Sequence, residues 1–163
     1  MAMKHVTRAI GRSAASILFW TALVVLVFDI VTKSIIRATI PLNESFAALP
    51  FLHIVHFQNT GISFGLLQFD FLRWLYVAIA LGVALAIAVS CKQHKLTQHL
   101  LAWGLIMGGA LGNALDRIFI GTVTDFAHFG IPGTTLFWPA FNVADAALTI
   151  GAVVIIWHAW KKE

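Results

Sequence analysis

Charge is what this chain has least of. Only 11% of its 163 residues are Asp, Glu, Lys or Arg, against roughly 25% in a soluble domain. By contrast 60% are hydrophobic, and the mean hydropathy is +0.87. Those figures exclude a water-soluble globular domain and point to an all-α integral membrane protein. Cysteine is almost absent. Cys91 is alone, so no internal disulfide can form; it reads as a small apolar residue, with acylation the alternative. The seven His are scattered, and no His-x-x-x-His pair has an acidic neighbour suitably placed, so no metal ligand set and no cofactor are expected. No internal repeat or low-complexity tract stands out. The excess of 11 Lys and Arg over 7 acids is a topology signal, not a nucleic-acid surface.

What the chain has is long apolar runs. Four of them, at about 16–36, 72–90, 99–118 and 142–160, approach the ~20 residues that cross a ~30 Å hydrocarbon core. The whole chain, 1–163, is then one four-helix membrane bundle. Lys4, Arg8 and Arg12 precede the first run, Lys92 and Lys95 lie between the second and third, and Lys161 and Lys162 follow the fourth. These clusters fall on one side, which the positive-inside rule makes cytoplasmic. Both termini are therefore expected inside, with outer connections at about 38–71 and 119–141. The N-terminus has the basic start of a secretory signal, but its apolar run is long, lacks Ala-x-Ala and continues into Asp29 and Lys33, so it is expected to be retained.

The polar residues inside these runs are few and not random. Asp29 comes 17 residues after Arg12, Asp116 comes 17 after His99, and Asp145 comes 16 before Lys161. At 1.5 Å per residue all three acids lie roughly 24–26 Å from the inner boundary. Asp29 and Lys33 have the i,i+4 spacing of an ion pair, expected to tie helix one to a loop. Asp116 has Arg117 beside it. Asn113 and Asp116, and likewise Asn142 and Asp145, put an amide and a carboxylate on one helical face. Gly104, Gly108 and Gly112 form a stripe that admits a neighbouring backbone, either inside the bundle or between two copies. Trp138-Pro139 mark the entry to the last helix and put Asp145 in or beside its first turn, where the helix dipole favours a carboxylate.

Asp125 and Asp145 differ from Asp29 and Asp116 in having no Lys or Arg within four positions. Two carboxylates brought together in a poorly solvated site share a proton and can activate water. Hydrolysis of an amide without a metal or a Ser or Cys nucleophile needs such an acid and base. Ser63 has no evident base, and Cys91 is on the wrong side. In the first outer segment, the stretch from Leu52 to Leu66 suggests short strands, with Asn59-Thr60-Gly61 as a turn. Phe46, Phe51, Phe57 and Phe64 would form an apolar slab on the membrane surface, either a packed loop or a cradle for an extended peptide. From residues alone, a proton-coupled transporter and a structural membrane subunit remain as alternatives to a protease.

Five motifs in order identify a family. Phe28-Asp29-x-x-x-Lys33, Asn59-x-Gly61, Gly109-x-x-Gly112-Asn113-x-x-Asp116-Arg117, Val123-x-Asp125-Phe126 and Phe141-Asn142-x-x-Asp145-Ala146 resemble those of the bacterial lipoprotein (type II) signal peptidases. One departure follows Gly61, where the family carries two alanines and this chain has Ile62-Ser63. The resemblance implies an aspartyl endopeptidase at the outer face of the bacterial inner membrane. Its substrate would be a diacylglyceryl-modified prolipoprotein, cut just before the lipidated cysteine, and globomycin-like peptide inhibitors would bind the same site. It also implies Asp125 and Asp145 as the catalytic pair. Asn59, Gly61, Asn113, Arg117 and Asn142 would line the site, and Asp29, Lys33 and Asp116 would support the outer loops.

Overall fold

A computed structural model describes residues 2–61, 69–93 and 99–161, with the side chains of 2–14 and Phe69 left undescribed. Ile62, Ser63, Phe64, Lys95 and Lys162 therefore lie outside the described residues, as do the side chains of Lys4, Arg8 and Arg12. Four helices carry the chain: α1 (Ala2–Thr39), α2 (Phe69–Lys92), α3 (Leu100–Phe119) and α4 (Val143–Trp160). The three later helices match the apolar runs within a few residues. Helix α1 starts well before its run, because the basic N-terminal stretch holds no proline and continues the helix. It ends two residues before Pro41, whose ring disfavours helical geometry in the residue preceding it.

Among the described residues three helices are long and apolar enough to cross a membrane: 15–39, 70–92 and 143–160, with mean hydropathies of 2.2, 2.3 and 1.6. Their large side chains face outward, among them Trp20, Val24 and Phe28 on α1, Leu81 and Leu85 on α2, and Val153 and Ile156 on α4. In water this would be an untenable apolar surface; in lipid it is the favourable one. Helix α3 does not reach that apolarity, although its run is expected from sequence to be an equal span. The reason is its place in the bundle. It packs against all three other helices, and its buried residues include Gly104, Gly108, Gly112, Asn113 and Asp116. A helix shielded by protein need not be solvated by lipid.

The glycine stripe is used inside the bundle. A Cβ on Gly104 would lie 2.6 Å from Thr21 Cβ and one on Gly108 2.6 Å from the Ala22 carbonyl, so α1 rests directly on the α3 backbone. Toward the end of the bundle away from the sheet, Leu18, Ala22, Ala84, Ile87, Cys91 and Met107 form one buried cluster. Cys91 thus packs as an apolar residue.

The α1–α2 and α3–α4 connections combine into a single antiparallel sheet of β1 (Ser45–Leu49), β2 (Leu52–Asn59) and β3 (Val123–Phe129), in that order. Strands in the first connection were legible from its β-branched and aromatic residues; the third strand, from the second connection, was not. Phe57 pairs with Asp125 and Asn59 with Val123 in the β2–β3 register, after an irregularity between Ile54 and Phe57. Phe141 exchanges backbone hydrogen bonds with Ala127 at 2.8 and 3.0 Å, tying β3 to the entry of α4. Of the expected slab, Phe46 and Phe51 are exposed, and Phe51 stacks on Phe129 at 6.3 Å between ring centres.

Candidate active site

Asn142 organises the site. It is the N-cap of α4, and its side-chain oxygen accepts from the Asp145 amide at 2.9 Å. Asp145, three residues on, reaches back so that its Oδ2 accepts from the Asn142 amide at 3.3 Å. This reciprocal box satisfies amides that a helix start leaves without partners. The nitrogen of the same Asn142 side chain donates to Asp125 Oδ1 at 2.7 Å. One asparagine therefore touches both carboxylates, which the sequence separates by twenty residues. The sheet supplies the other half. Asn59, at the end of β2, donates to Asp125 Oδ2 at 3.0 Å, and Asn113 on α3 donates to Asp145 Oδ1 at 2.7 Å.

Asp125, on the strand outside the helices, is 3% exposed. Burial pushes its carboxyl from the ordinary 3.8 up to about 6, opposed by the hydrogen bonds from Asn59 and Asn142 and reinforced by the nearby charge of Asp145. Among the described residues neither Asp125 nor Asp145 forms an ion pair, and no group of three His, Cys, Asp or Glu is placed to hold a metal.

The turn after β2 is built for this arrangement. Asn59 Oδ1 accepts from the Gly61 amide at 2.7 Å, which orients the Asn59 amide nitrogen toward Asp125. Gly61 has φ +79°, and a Cβ there would lie 2.8 Å from the Tyr76 ring. Only glycine fits. The Tyr76 hydroxyl donates to the Gly61 carbonyl at 3.3 Å, and the Arg117 guanidinium lies 4.9 Å over the same ring.

The remaining acids sit in a cationic cluster. Lys33 is fully buried, 2.8 Å from Asp29 and 3.6 Å from Asp116, and donates to Asn113 Oδ1 at 2.9 Å. Asp29 Oδ1 accepts from the Ala144 amide at 2.9 Å, capping the first turn of α4. The pair thus ties helix one to α3 and α4, not to a loop. Gly112 makes room for it, since a Cβ there would lie 2.5 Å from Asp29 Oδ2.

Asp116 does not pair with its neighbour Arg117, because consecutive helical residues point about 100° apart. Its partner is Arg37 of α1 at 2.9 Å, and its other oxygen accepts from the Thr124 amide at 2.9 Å. Arg117 instead donates to the Asn113 carbonyl at 3.2 Å. Sequence reasoning missed Arg37, Thr124, Tyr76 and Arg73. The last donates to the Arg117 and Ile118 carbonyls at 2.6 and 2.9 Å and so caps α3. Arg37 alone left a signal, as a cation four residues beyond Lys33 on the same face.

A family model described as signal peptidase (SPase) II matches residues 21–161. A lipoprotein signal peptidase of Yersinia pseudotuberculosis is 37% identical over 145 residues, covering 86% of this chain and 85% of its own length. One of Shewanella baltica is 37% identical over 151 residues, covering 87% and 84%. A solved bacterial membrane enzyme, determined by the in meso method at 1.9 Å resolution, matches with a TM-score of 0.78 at 33% identity over 90% of this chain and 94% of its own. The order of the motifs, the fold that gathers them and these likenesses agree: the chain belongs to the signal peptidase II family, bacterial multi-pass membrane enzymes that are aspartic-type proteases.

Proposed function

We propose that this protein removes the signal peptide from diacylglyceryl-modified prolipoproteins, cutting just before the lipidated cysteine, with Asp125 and Asp145 as the catalytic dyad. The observation that carries the assignment is the Asn142 side chain and backbone bonding both the buried Asp125 and the partly buried Asp145, neither of which forms an ion pair among the described residues.

The surroundings of the two carboxyls divide the chemistry. Asp145 lies in the first turn of α4, where the dipole and the Asn142 amide favour an anion, and its Asn113 donor is itself held by Lys33. It is the base that takes a proton from water. Asp125 meets only amides and keeps its proton up to about 6; it gives that proton to the scissile carbonyl oxygen as the water oxygen bonds to carbon. The proton on Asp145 then passes to the leaving amine as the C–N bond breaks, and one hydroxyl of the tetrahedral intermediate returns its proton to Asp125, leaving a carboxylic acid and restoring the singly protonated pair. Asn113 and Asn142 act here by orienting carboxylates. Asn59, Gly61 and Arg117 line the approach, and Asp29, Lys33 and Asp116 hold the helices that present the dyad.

The same reading makes residues 1–163 one domain with four spans, both termini cytoplasmic, and the site near the outer face of the inner membrane. Membrane lipid surrounds the site, and globomycin-like peptides compete there. The decisive experiment is hydrolysis of a lipidated signal-peptide substrate by purified protein in detergent with a strong chelator present. Turnover that disappears with the chelator and returns with a divalent ion would refute the dyad mechanism. A reporter inserted near Glu44 should be active only outside and one fused after Lys162 only inside; an outward C-terminus would overturn the topology.

A further inference from the structure

We propose that Arg37 is a positioning residue for the dyad, acting through Asp116 and Thr124 on the strand that carries Asp125. The proposal rests on the dyad assignment above. Arg37 stands in the last turn of α1, with its side chain 23% exposed. One of its nitrogens, Nη1, donates to both Asp116 Oδ1 and Thr124 Oγ1, each at 2.9 Å. Asp116 Oδ2 accepts from the backbone amide of that same Thr124 at 2.9 Å. The three residues close a ring in which both the side chain and the backbone of Thr124 are held.

Thr124 is fully buried and immediately precedes Asp125. The ring therefore fixes the peptide plane that determines where the Asp125 carboxyl points. Asn59 and Asn142 hold that carboxyl from its far side, but neither restrains the strand's approach to α1 and α3. Lys33 cannot take over the task. It lies 3.6 Å from Asp116 and is already engaged with Asp29 and Asn113. A guanidinium suits the position because its fixed geometry meets a carboxylate and a hydroxyl at once, which a flexible ammonium does less well.

The test compares the purified full-length protein with Arg37→Gln, Arg37→Lys and Thr124→Val, the last keeping the shape of Thr124 without its hydroxyl. Because misplacement of a reacting group by about 1 Å costs on the order of 100-fold, Arg37→Gln should lower kcat by about 10- to 100-fold and change KM by less than about twofold. Arg37→Lys should recover part of the loss, and Thr124→Val should lose less. The double variant Arg37→Gln/Thr124→Val should be no worse than Arg37→Gln alone, since both break one ring.

Hydrogen exchange at the Thr124 amide, faster in Arg37→Gln, reads the ring without reference to activity. An unchanged amide would overturn the proposal even if the wild-type protein cleaved no lipidated substrate, an outcome that would instead refute the functional reading. Loss of thermal stability with kcat intact would also overturn it. Should Arg37→Gln fail to fold, Thr124→Val carries the same test.

Discussion

The cluster where α1 meets α3 and the pocket where β3 meets α4 both bury aspartates, and one side chain, Asn113, reaches into each. In the cluster, Asp29 and Asp116 lie against Lys33 and Arg37. In the pocket, Asp125 and Asp145 lie against amides alone among the described residues. Both solutions satisfy the oxygens, but with opposite consequences for the proton. A cation at 2.8 or 2.9 Å makes the carboxylate one half of an ion pair and thereby a strut. An amide donates to either protonation state, so a carboxyl so held remains able to give and take a proton. The two regions thus differ in the chemistry of the partners their acids meet, while Asp29, Asp116 and Asp125 are all buried.

The sharpest way to break this contrast is to remove the proton from one region and the charge from the other. Asp125→Asn and Asp145→Asn should each lower kcat by about 10³-fold or more, because an amide keeps the shape but cannot carry the dyad's proton. The protein should remain folded, as judged by thermal unfolding in detergent. If either variant retains more than a few per cent of the wild-type rate, that carboxyl is not catalytic. Asp29→Asn should do the reverse. It deprives buried Lys33 of its nearest partner, which costs about 3 kcal/mol, while the folded fraction continues to turn over. A lowered melting temperature with measurable kcat is the expected pattern; full loss of kcat at unchanged stability would merge the two regions.

A third experiment uses pH. Folding raises the Asp125 carboxyl above its ordinary value, to about 6, so the folded state binds that proton more tightly than the unfolded chain does. The resulting stabilisation is complete below the ordinary carboxylate range and is lost as pH rises through about 6. Asp125→Asn removes this loss. The variant should match the wild type near pH 3 and exceed it at pH 8 by roughly 2–3 kcal/mol, since each tenfold difference in proton affinity is worth about 1.4 kcal/mol. The wild-type kcat/KM profile should be bell-shaped, with an alkaline limb that falls through about 6 in the free enzyme. The smallest effect belongs at the end of the bundle away from the sheet, where Cys91→Ala should cost about 1 kcal/mol or less and leave kcat unchanged.

Some of this contrast was legible in the chain. Asp29 and Lys33 lie one turn apart, so their pairing is a local fact. Asp125 and Asp145 stood out because no cation lies near them in sequence, and among the described residues none pairs with them through the fold either. The partner of Asp116 was not legible. The cation beside it in sequence, Arg117, points away, and the one that pairs with it comes from a helix 79 residues distant. Nor did the α3–α4 connection declare its strand. Val123 to Phe129 extends because β2 offers an edge to pair with, and propensity contributes little.

The sequence by itself determined the solvent, the helices and which acids fall within or beside the apolar runs. These follow from sums over neighbouring residues: the transfer free energy of an apolar run, the breaking effect of Pro41 and Pro139, and the cost of a carboxylate in hydrocarbon. Only the tertiary structure decided which acids pair with cations and which are held by amides. That choice turns on contacts between residues 17 to 115 positions apart, such as Asn142 with Asp125 and Asp29 with the Ala144 amide. Hydrogen bonds and ion pairs form within about 3 Å and in fixed directions, so they are set by how the helices close on the α3 glycines, which no local pattern encodes.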